Sequence, residues 1–296
     1  ITKMGAVDEA GGWVYFIASP ENVTQRYLYR SRLDGSGGME RVTPDEYAGT
    51  NSYQMSDDAR WAIHTFSSFT QPPQTRLISL PDHKTRKVIE DNQELTEKLA
   101  GLATGKHDFF QVEARDGLVM DGIIMRPPDF DPQAKYPIIN YVYGEPWGQT
   151  TQDEWGESTH LWHVLMTQRG YIVSTVDNRG TRAPRGRAWR RSLYGAVGVL
   201  ASRDQSDALN AMGERWPYID MDRVGIWGHS GGGSMTLNML FRYPQQYHVG
   251  ISIAPVPDQR LYDTIYQERY SGLFDQNEEG YREGSPINFA SQLEGK

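Results

Sequence analysis

The sequence predicts an α/β fold, in which a mainly parallel, doubly wound sheet follows a β-rich segment. Between residues 12 and 91, short runs of aromatic and β-branched residues alternate with turn residues, which is typical of antiparallel strands. From Tyr136 onward, continuous apolar runs alternate with helical stretches, which indicates a parallel sheet covered on both faces. We place the boundary between the two parts at residues 98 and 99.

The first part contains four runs that predict strands, namely WVYFIAS, RYLYRSRL, RWAIHTF and TRLISLP. Turn residues fill the segments SPEN, LDGSGG, MSDDA and QPPQ. The strands around Tyr15 and Tyr27 have counterparts around Ala62 and Arg76, an offset of nearly fifty residues. Such a period is typical of a four-stranded propeller blade, although an ordinary antiparallel β-domain explains the same residues.

The second part begins with a helix or connector, NQELTEKLA, and a hairpin around residues 115–117 formed by DFFQVEA and VMDGIIMRPP. Strands are then predicted at YPIINYVYG, YIVSTVDNRG, RVGIWG and VGISIAP. Helices are predicted at HLWHVLMTQRG, SRDQSDALNAMGERW and SMTLNMLFRY. This alternation is what predicts the parallel sheet.

The composition limits the classes of function. A net charge of −8 argues against binding of a nucleic-acid backbone, which needs a basic face. The one local basic run favours a solvated or ion-paired segment: Arg182, Arg185, Arg187, Arg190 and Arg191. Without cysteine there is no thiol catalysis, and the 7 histidines show no metal-ligand spacing, so we expect no metal or other cofactor. No apolar stretch approaches the roughly 20 residues that cross a bilayer.

Ser230 stands at a glycine-rich corner, in a G-x-S-x-G pattern over residues 228–232 with a predicted strand before it and a helix after it. Such a corner raises the hydroxyl to the carboxyl edge of the sheet, where open α/β sheets bind ligands. The next helix directs free N–H groups at negative charge. Ser230 is therefore predicted to be a nucleophile. A phosphate-binding turn is the alternative, but neither G-x-G-x-x-G nor a P-loop lysine is present here.

Five stretches carry a likeness to known proteins: VIEDNQEL, RPPDFDPQAKYPIINYVYGEP, VDNRGT, VGIWGHSGGG and APVPDQRLYDTIYQERYSG. Through them the chain closely resembles the prolyl oligopeptidase superfamily of serine peptidases, and within it the dipeptidyl peptidase IV branch. The last stretch discriminates most, because generic α/β-hydrolases lack it. The resemblance implies that residues 1–98 are the C-terminal blades of a β-propeller and residues 99–296 an α/β-hydrolase catalytic domain.

The resemblance also implies roles for single residues. Ser230 takes the position of the nucleophile, while the Tyr143 hydroxyl and the backbone N–H of Gly231 would bind the oxyanion. The proline-accepting pocket is matched by Tyr262, Tyr266 and Val256. Without the resemblance, Tyr143 would be an ordinary strand-end aromatic. The two pocket tyrosines, at i and i+4 on one helix face, would then more commonly be a core stripe.

Two residues depart from the family's pattern. Gly231 stands where this branch often has an aromatic residue, and Gln259 stands where it has a pocket tryptophan. We expect both changes to widen and polarise the pocket, which puts a strict preference for proline in doubt. The acidic pair that anchors a substrate's amino terminus is not located in this segment, so release of dipeptides is implied by the resemblance alone.

Ser230 needs a histidine base oriented by a carboxylate, which follow it in the order Asp, then His in α/β-hydrolases. Only His248 follows Ser230, and it precedes Asp258. It opens a strand whose far end should reach the catalytic edge, about 16–20 Å away at roughly 3.3 Å per residue. His229 should point away from the neighbouring hydroxyl. We therefore expect an internal segment without the catalytic aspartate and histidine, inactive by itself.

The leading hypothesis is a serine peptidase that releases N-terminal dipeptides, or short peptides, after proline or alanine through an acyl-enzyme on Ser230. One alternative is an esterase or acylaminoacyl-type peptidase of relaxed specificity. Another is a non-catalytic binding module of the same fold. Peptides are the expected partners, without nucleic acid or a membrane span. The resemblance leaves a homodimer open and implies a periplasmic or cell-surface location.

Overall fold

The structure is a computed structural model that describes residues 1–294. It divides the chain into two compact units. The first comprises Ile1–Leu102 and Gln152–Leu161, and the second comprises Ala103–Thr151 and the chain from Trp162 onward. The assignment of residues 1–98 to propeller blades and of residues 99–296 to a hydrolase domain stays a prediction.

The first unit contains two four-stranded antiparallel sheets, each in sequential strand order. One consists of β1 (Lys3–Asp8), β2 (Trp13–Ala18), β3 (Tyr27–Arg32) and β4 (Glu40–Arg41). The other consists of β5 (Thr50–Met55), β6 (Trp61–Ser68), β7 (Gln71–Ser79) and β8 (Thr85–Glu90), and helix α1 (Gln93–Ala100) follows it. The offset of nearly fifty residues relates β2 to β6, the second strand of each sheet.

The segment QPPQ, predicted as a turn, instead begins β7. Ser68 pairs with Gln71 and Phe66 pairs with Gln74, so two prolines lie opposite one residue of β6. This is the geometry of a β-bulge, which interrupts the ladder where proline has no N–H to donate. The turn prediction was wrong because it took proline as a strand breaker without allowing for a bulge.

The second unit contains a six-stranded sheet in the order β14-β13-β11-β12-β10-β9. Its strands are β9 (His107–Glu113), β10 (Val119–Met125), β11 (Tyr136–Tyr141), β12 (Ile172–Val176), β13 (Ile219–His229) and β14 (Val249–Ile253). The pairs β11–β12, β11–β13 and β13–β14 are parallel, and β10 is antiparallel to both its neighbours. The predicted hairpin and the predicted α/β class, with a mainly parallel sheet after a β-rich segment, are confirmed.

Six helices of the described residues follow α1: α2 (Glu157–Gln168), α3 (Gly186–Arg191), α4 (Val199–Arg215), α5 (Gly231–Arg242), α6 (Thr264–Ser271) and α7 (Glu278–Gly284). Helices α2, α4 and α5 were predicted, whereas the short α3, α6 and α7 were not. Within residues 1–294, no helix combines the length and apolar composition that crossing a bilayer would require.

The core of the second unit lies where α4 and α5 pack with the sheet. Leu209 and Met212 of α4 and Met239 of α5 are buried together with Ile138 of β11 and Ile226 of β13. Burial of these side chains is the main apolar contribution to the stability of the unit that carries Ser230.

Leu209→Ala should lower the free energy of unfolding by about 2–5 kcal/mol, because it removes buried methyl groups and leaves a cavity. Leu261, 82% exposed, offers a matched control, and its replacement by alanine should change stability by less than about 0.5 kcal/mol. Urea unfolding of both variants measures the difference. Equal losses would contradict the placement of the core.

Candidate active site

Ser230 forms the corner between β13 and α5. Its backbone has φ 58° and ψ −118°, a conformation that non-glycine residues seldom adopt. The Ser230 N–H donates to the Ile253 carbonyl at 2.9 Å, and the Ser230 carbonyl accepts from the Ser234 N–H at 3.0 Å. The half-buried side chain lines a cavity. The corner is therefore a strained strand-to-helix turn that presents its hydroxyl to open space.

Two glycines let this corner lie against the end of β11. A Cβ atom at Gly228 would stand 2.4 Å from the Val142 carbonyl oxygen, and one at Gly232 would stand 2.2 Å from the same oxygen. No side chain fits at either position without moving the backbone. Because Val142 directly precedes Tyr143, this close approach brings Tyr143 and Ser230 to the same cavity.

Tyr143 is held as a neutral phenol. Burial, and after it the negative charge of Glu145, raise its pKa to about 12. Its ring packs against Gly148, where a Cβ atom would stand 2.5 Å from ring atom Cδ1. A phenol with this pKa keeps its proton at neutral pH and can donate a hydrogen bond to a developing oxyanion.

The cavity beside Ser230 has a volume of about 230 Å³. The structure brings every predicted site residue to it: Ser230, Tyr143, Gly231, Val256, Tyr262 and Tyr266. Gln259 also lines it. Sequence reasoning assigned no role to the other lining residues, namely Glu145, Trp147, Asp263, Ile265, Gln267, Arg269 and Tyr270.

The two pocket tyrosines do not share a helix face as expected. Helix α6 begins at Thr264, and the Asp263 carboxylate caps it by accepting the Tyr266 N–H at 2.8 Å. Tyr262 precedes this cap in extended backbone. The rings of Tyr262 and Tyr266 still meet edge to face at 5.6 Å, and Tyr270 adds a third ring 4.9 Å from Tyr266. The wall is therefore a tyrosine cluster rather than a helical stripe.

Glu145 occupies the space beside Gly231. A Cβ atom at Gly231 would stand 2.6 Å from the Glu145 Oε2 atom, which accepts the Tyr266 hydroxyl at 2.6 Å. The expectation that Gly231 widens the pocket is therefore wrong, because a buried carboxylate fills the freed space. Burial raises the pKa of Glu145 to about 7, and the Tyr266 hydrogen bond opposes that rise.

Gln259 is buried with its polar atoms engaged. Its side-chain amide donates to the Gly284 carbonyl at 3.3 Å and accepts from the Gln267 amide, and its backbone N–H donates to Ser285 Oγ at 2.8 Å. That Gln259 polarises the pocket stays a prediction. Glu145 and Gln259 both line the cavity together with the tyrosines.

The stretch VDNRGT positions the loop that follows Tyr143. The buried Asp177 carboxylate accepts the backbone N–H groups of Thr150 and Thr151 at 2.9 and 3.1 Å. Asn178 donates its amide to the Gly144 carbonyl at 2.9 Å. Burial raises the pKa of Asp177 to about 6, while these threonine contacts lower it. An Asp-Asn pair directly after a buried strand was the available signal for this role.

The histidines lie away from the serine hydroxyl or are exposed beside it. His248 precedes β14, and its N–H donates to the Val224 carbonyl at 2.9 Å. Ile253, at the other end of β14, pairs with His229 next to the corner. None of the residues that line the cavity, within the part of the chain that the structure describes, is a histidine.

A mainly parallel sheet with a serine corner between strand and helix defines a protein of the α/β-hydrolase class. Residues 157–296 match the model of the prolyl oligopeptidase family, and residues 1–73 match that of the dipeptidyl peptidase IV N-terminal region. These matches confirm the resemblance to the prolyl oligopeptidase family that was predicted from the sequence.

Similar proteins include a probable dipeptidyl-aminopeptidase B of Emericella nidulans, 36% identical over 97% of this chain and 31% of the relative. The crystal structure of Porphyromonas gingivalis dipeptidyl peptidase 4 matches with a TM-score of 0.92 and 34% identity. That match covers 100% of this chain and 40% of the other. A putative dipeptidyl aminopeptidase IV from Bacteroides ovatus matches with a TM-score of 0.84 and 28% identity, over 99% of this chain and 41% of the other. The chain thus spans about a third of the length of the curated relatives it matches.

Glu145 should make stability fall as the pH rises from about 4.5 to about 7. Its folded pKa, about 7, lies above the ordinary value of 4.5, so the folded state holds a proton that the unfolded state has lost. The stabilisation is complete below pH 4.5 and lost above pH 7, about 3 kcal/mol in all. Glu145→Gln cannot titrate and should lose less stability over this range.

Urea unfolding at pH 5 and pH 8 measures this effect, with the exposed Glu279→Gln as the control. The control should keep the pH dependence of the unchanged protein. If Glu145→Gln also kept it in full, the buried carboxyl group would not be the titrating group.

Proposed function

We propose that the protein is a serine peptidase that releases dipeptides, or short peptides, from the amino terminus after proline or alanine. The observation that carries the proposal is the strained Ser230, which shares one cavity with Tyr143 and a wall of tyrosines. Relatives named dipeptidyl-aminopeptidase and dipeptidyl peptidase 4 support it. We assign residues 1–98 to propeller blades and residues 99–296 to the catalytic domain on the same grounds.

In this proposal Ser230 Oγ attacks the carbonyl carbon of the scissile bond and forms an acyl-enzyme as the amine leaves. The negative oxygen of the tetrahedral intermediate accepts hydrogen bonds from the Tyr143 hydroxyl and the Gly231 N–H. Gly231 is the first residue of α5, and the N–H groups in the first turn of a helix have no partner within that helix. The Gly231 N–H is therefore available for the second contact. A histidine base would take the Ser230 proton and pass it to the departing amine, and water would then hydrolyse the acyl-enzyme. This histidine enters the proposal through the family resemblance alone.

The pocket supports small substrate residues. Tyr262 and Tyr266, with their rings at nearly right angles, and Val256 would flank the flat ring of proline. Glu145 and Gln259 add polar surface, so we propose that proline is accepted without being required. Peptides are the proposed partners, and a homodimer stays a prediction of the resemblance.

The polar side of this pocket also favours a second candidate, an esterase or acylaminoacyl-type peptidase of relaxed specificity. The buried carboxylate of Glu145 is the observation that favours it, because apolar proline gains nothing from a carboxylate. Comparison of substrates with free and blocked amino termini separates the two candidates. The third candidate is a non-catalytic binding module of the same fold, since no histidine of the described residues lines the cavity around Ser230.

Ser230→Ala in the natural full-length protein should abolish cleavage of Xaa-Pro and Xaa-Ala amides, because no other hydroxyl occupies the strained corner. Release of a chromogenic amine measures the rate. Near-wild-type rates in this variant would contradict the peptidase proposal.

Tyr143→Phe should lower kcat by about 10²–10³-fold, with a much smaller effect on KM, because it removes a donor that acts on the transition state. Tyr141→Phe is the matched control, since Tyr141 lies two residues earlier and packs against His163 and Trp227 outside the cavity. Steady-state kinetics with the same amides measure both. Equal kcat values for the two variants would remove Tyr143 from the proposed oxyanion site.

A further inference from the structure

A second cavity, of about 630 Å³, adjoins the candidate active site and is lined by arginines. It shares Trp147, Arg269 and Tyr270 with the cavity around Ser230. Four of its lining residues are arginines, namely Arg182, Arg190, Arg191 and Arg269, and none is aspartate or glutamate. The net charge of the chain is −8, so this concentration of positive charge runs against its overall balance.

The four arginines form no salt bridge within residues 1–294, in contrast to their neighbours along the chain. Arg179 binds Asp204 at 2.8 Å, and Arg185 binds Asp121. The basic run was expected to be solvated or ion-paired: Arg185 is ion-paired, whereas the side chains of Arg182, Arg190 and Arg191 are exposed to solvent, as is that of Arg269. Four like charges without a counterion repel one another, and an anion placed among them would lower that energy.

Aromatic rings hold two of these guanidinium groups in place. The Arg182 guanidinium lies 5.7 Å from the centroid of the Trp147 ring, and that of Arg269 lies 5.5 Å from the Tyr270 ring. Such contacts orient a guanidinium group but leave its charge and its N–H donors free.

Arg190 and Arg191 lie in the last turn of α3, where the helix dipole alone favours cations. That explanation does not account for Arg182 and Arg269. These two come from separate segments, one before α3 and one on α6, and converge on the same cavity.

We propose that the arginine cavity binds a carboxylate group of the peptide substrate, so that the protein acts preferentially on acidic peptides. This inference rests on the proposed peptidase function and names its substrate class. Arginine pairs with carboxylates through two parallel hydrogen bonds, which suits a planar acidic group. Because the two cavities share Trp147, Arg269 and Tyr270, one peptide substrate would reach both.

The test uses the natural full-length protein and pairs of C-terminally amidated peptides that differ only by glutamate or glutamine. In successive pairs of peptides, the glutamate or glutamine occupies each of the three positions on either side of the cleaved bond. At one position or more, glutamate should raise kcat/KM at least tenfold over glutamine. This ratio should fall to within about twofold in Arg182→Gln and shrink when salt rises from about 0.05 to about 0.5 M.

Arg187→Gln is the matched control, because Arg187 is an exposed arginine five residues from Arg182 that does not line the cavity. Its ratio of glutamate to glutamine should equal that of the unchanged protein. A further arm compares neutral peptides with free and amidated C-termini. A tenfold preference for the free acid would identify the terminal carboxylate, rather than a side chain, as the group bound.

Binding without turnover separates this inference from the proposed function. Calorimetric titration of the Ser230→Ala protein should show at least tenfold tighter binding of the preferred glutamate peptide than of its glutamine partner. Ser230-dependent cleavage with equal rates and equal affinities for both peptides would overturn the carboxylate site and leave the peptidase intact. Tighter, Arg182-dependent binding of the glutamate peptide without any cleavage would support the site and contradict the peptidase.

Discussion

The candidate site depends on the contact of two glycines with one carbonyl oxygen. Gly228 and Gly232, on either side of Ser230, both approach the Val142 oxygen so closely that neither can carry a side chain. The Val142 N–H in turn donates to the Trp227 carbonyl at 3.0 Å, which extends the ladder between β11 and β13 to the corner. The sheet therefore fixes the position of Tyr143 relative to the Ser230 hydroxyl.

The pocket shows how a substitution beside a nucleophile is absorbed by its surroundings. Gly231 leaves room that Glu145 takes, and the Tyr266 hydroxyl hydrogen-bonds that carboxylate. The same exchange places a buried ionisable group with a pKa of about 7 directly beside the tyrosine cluster. In the proposed function, specificity would therefore depend on Glu145, two positions after the proposed oxyanion tyrosine, as well as on the tyrosines themselves.

The sequence predicted the structural features that repeat along the chain or follow a short local pattern. Apolar strands and the glycine corner are such features, and β11 to β14 and the turn at Ser230 were found where expected. What it could not predict came from contacts between distant segments. Glu145 reaches Tyr266 across 121 positions, so no local pattern shows that it fills the space beside Gly231. The start of α6 was missed because a single side chain sets it. Asp263 caps the helix, which begins at Thr264, so Tyr262 lies outside the helix and forms no helical stripe with Tyr266.

Glu145 lines the cavity beside Ser230, Arg182, Arg190 and Arg191 line the second cavity, and Arg269 lines both. Burial and the Tyr266 hydrogen bond are what set the pKa of Glu145, and no arginine lowers it. The wall of Trp147, Arg269 and Tyr270 stands between this carboxylate and the arginine cavity. A carboxyl group with a pKa near neutrality is partly uncharged at pH 7, so it is a poor counterion for the arginines. Within residues 1–294 no carboxylate forms a salt bridge with Arg182, Arg190, Arg191 or Arg269, and the proposed substrate carboxylate would supply that partner.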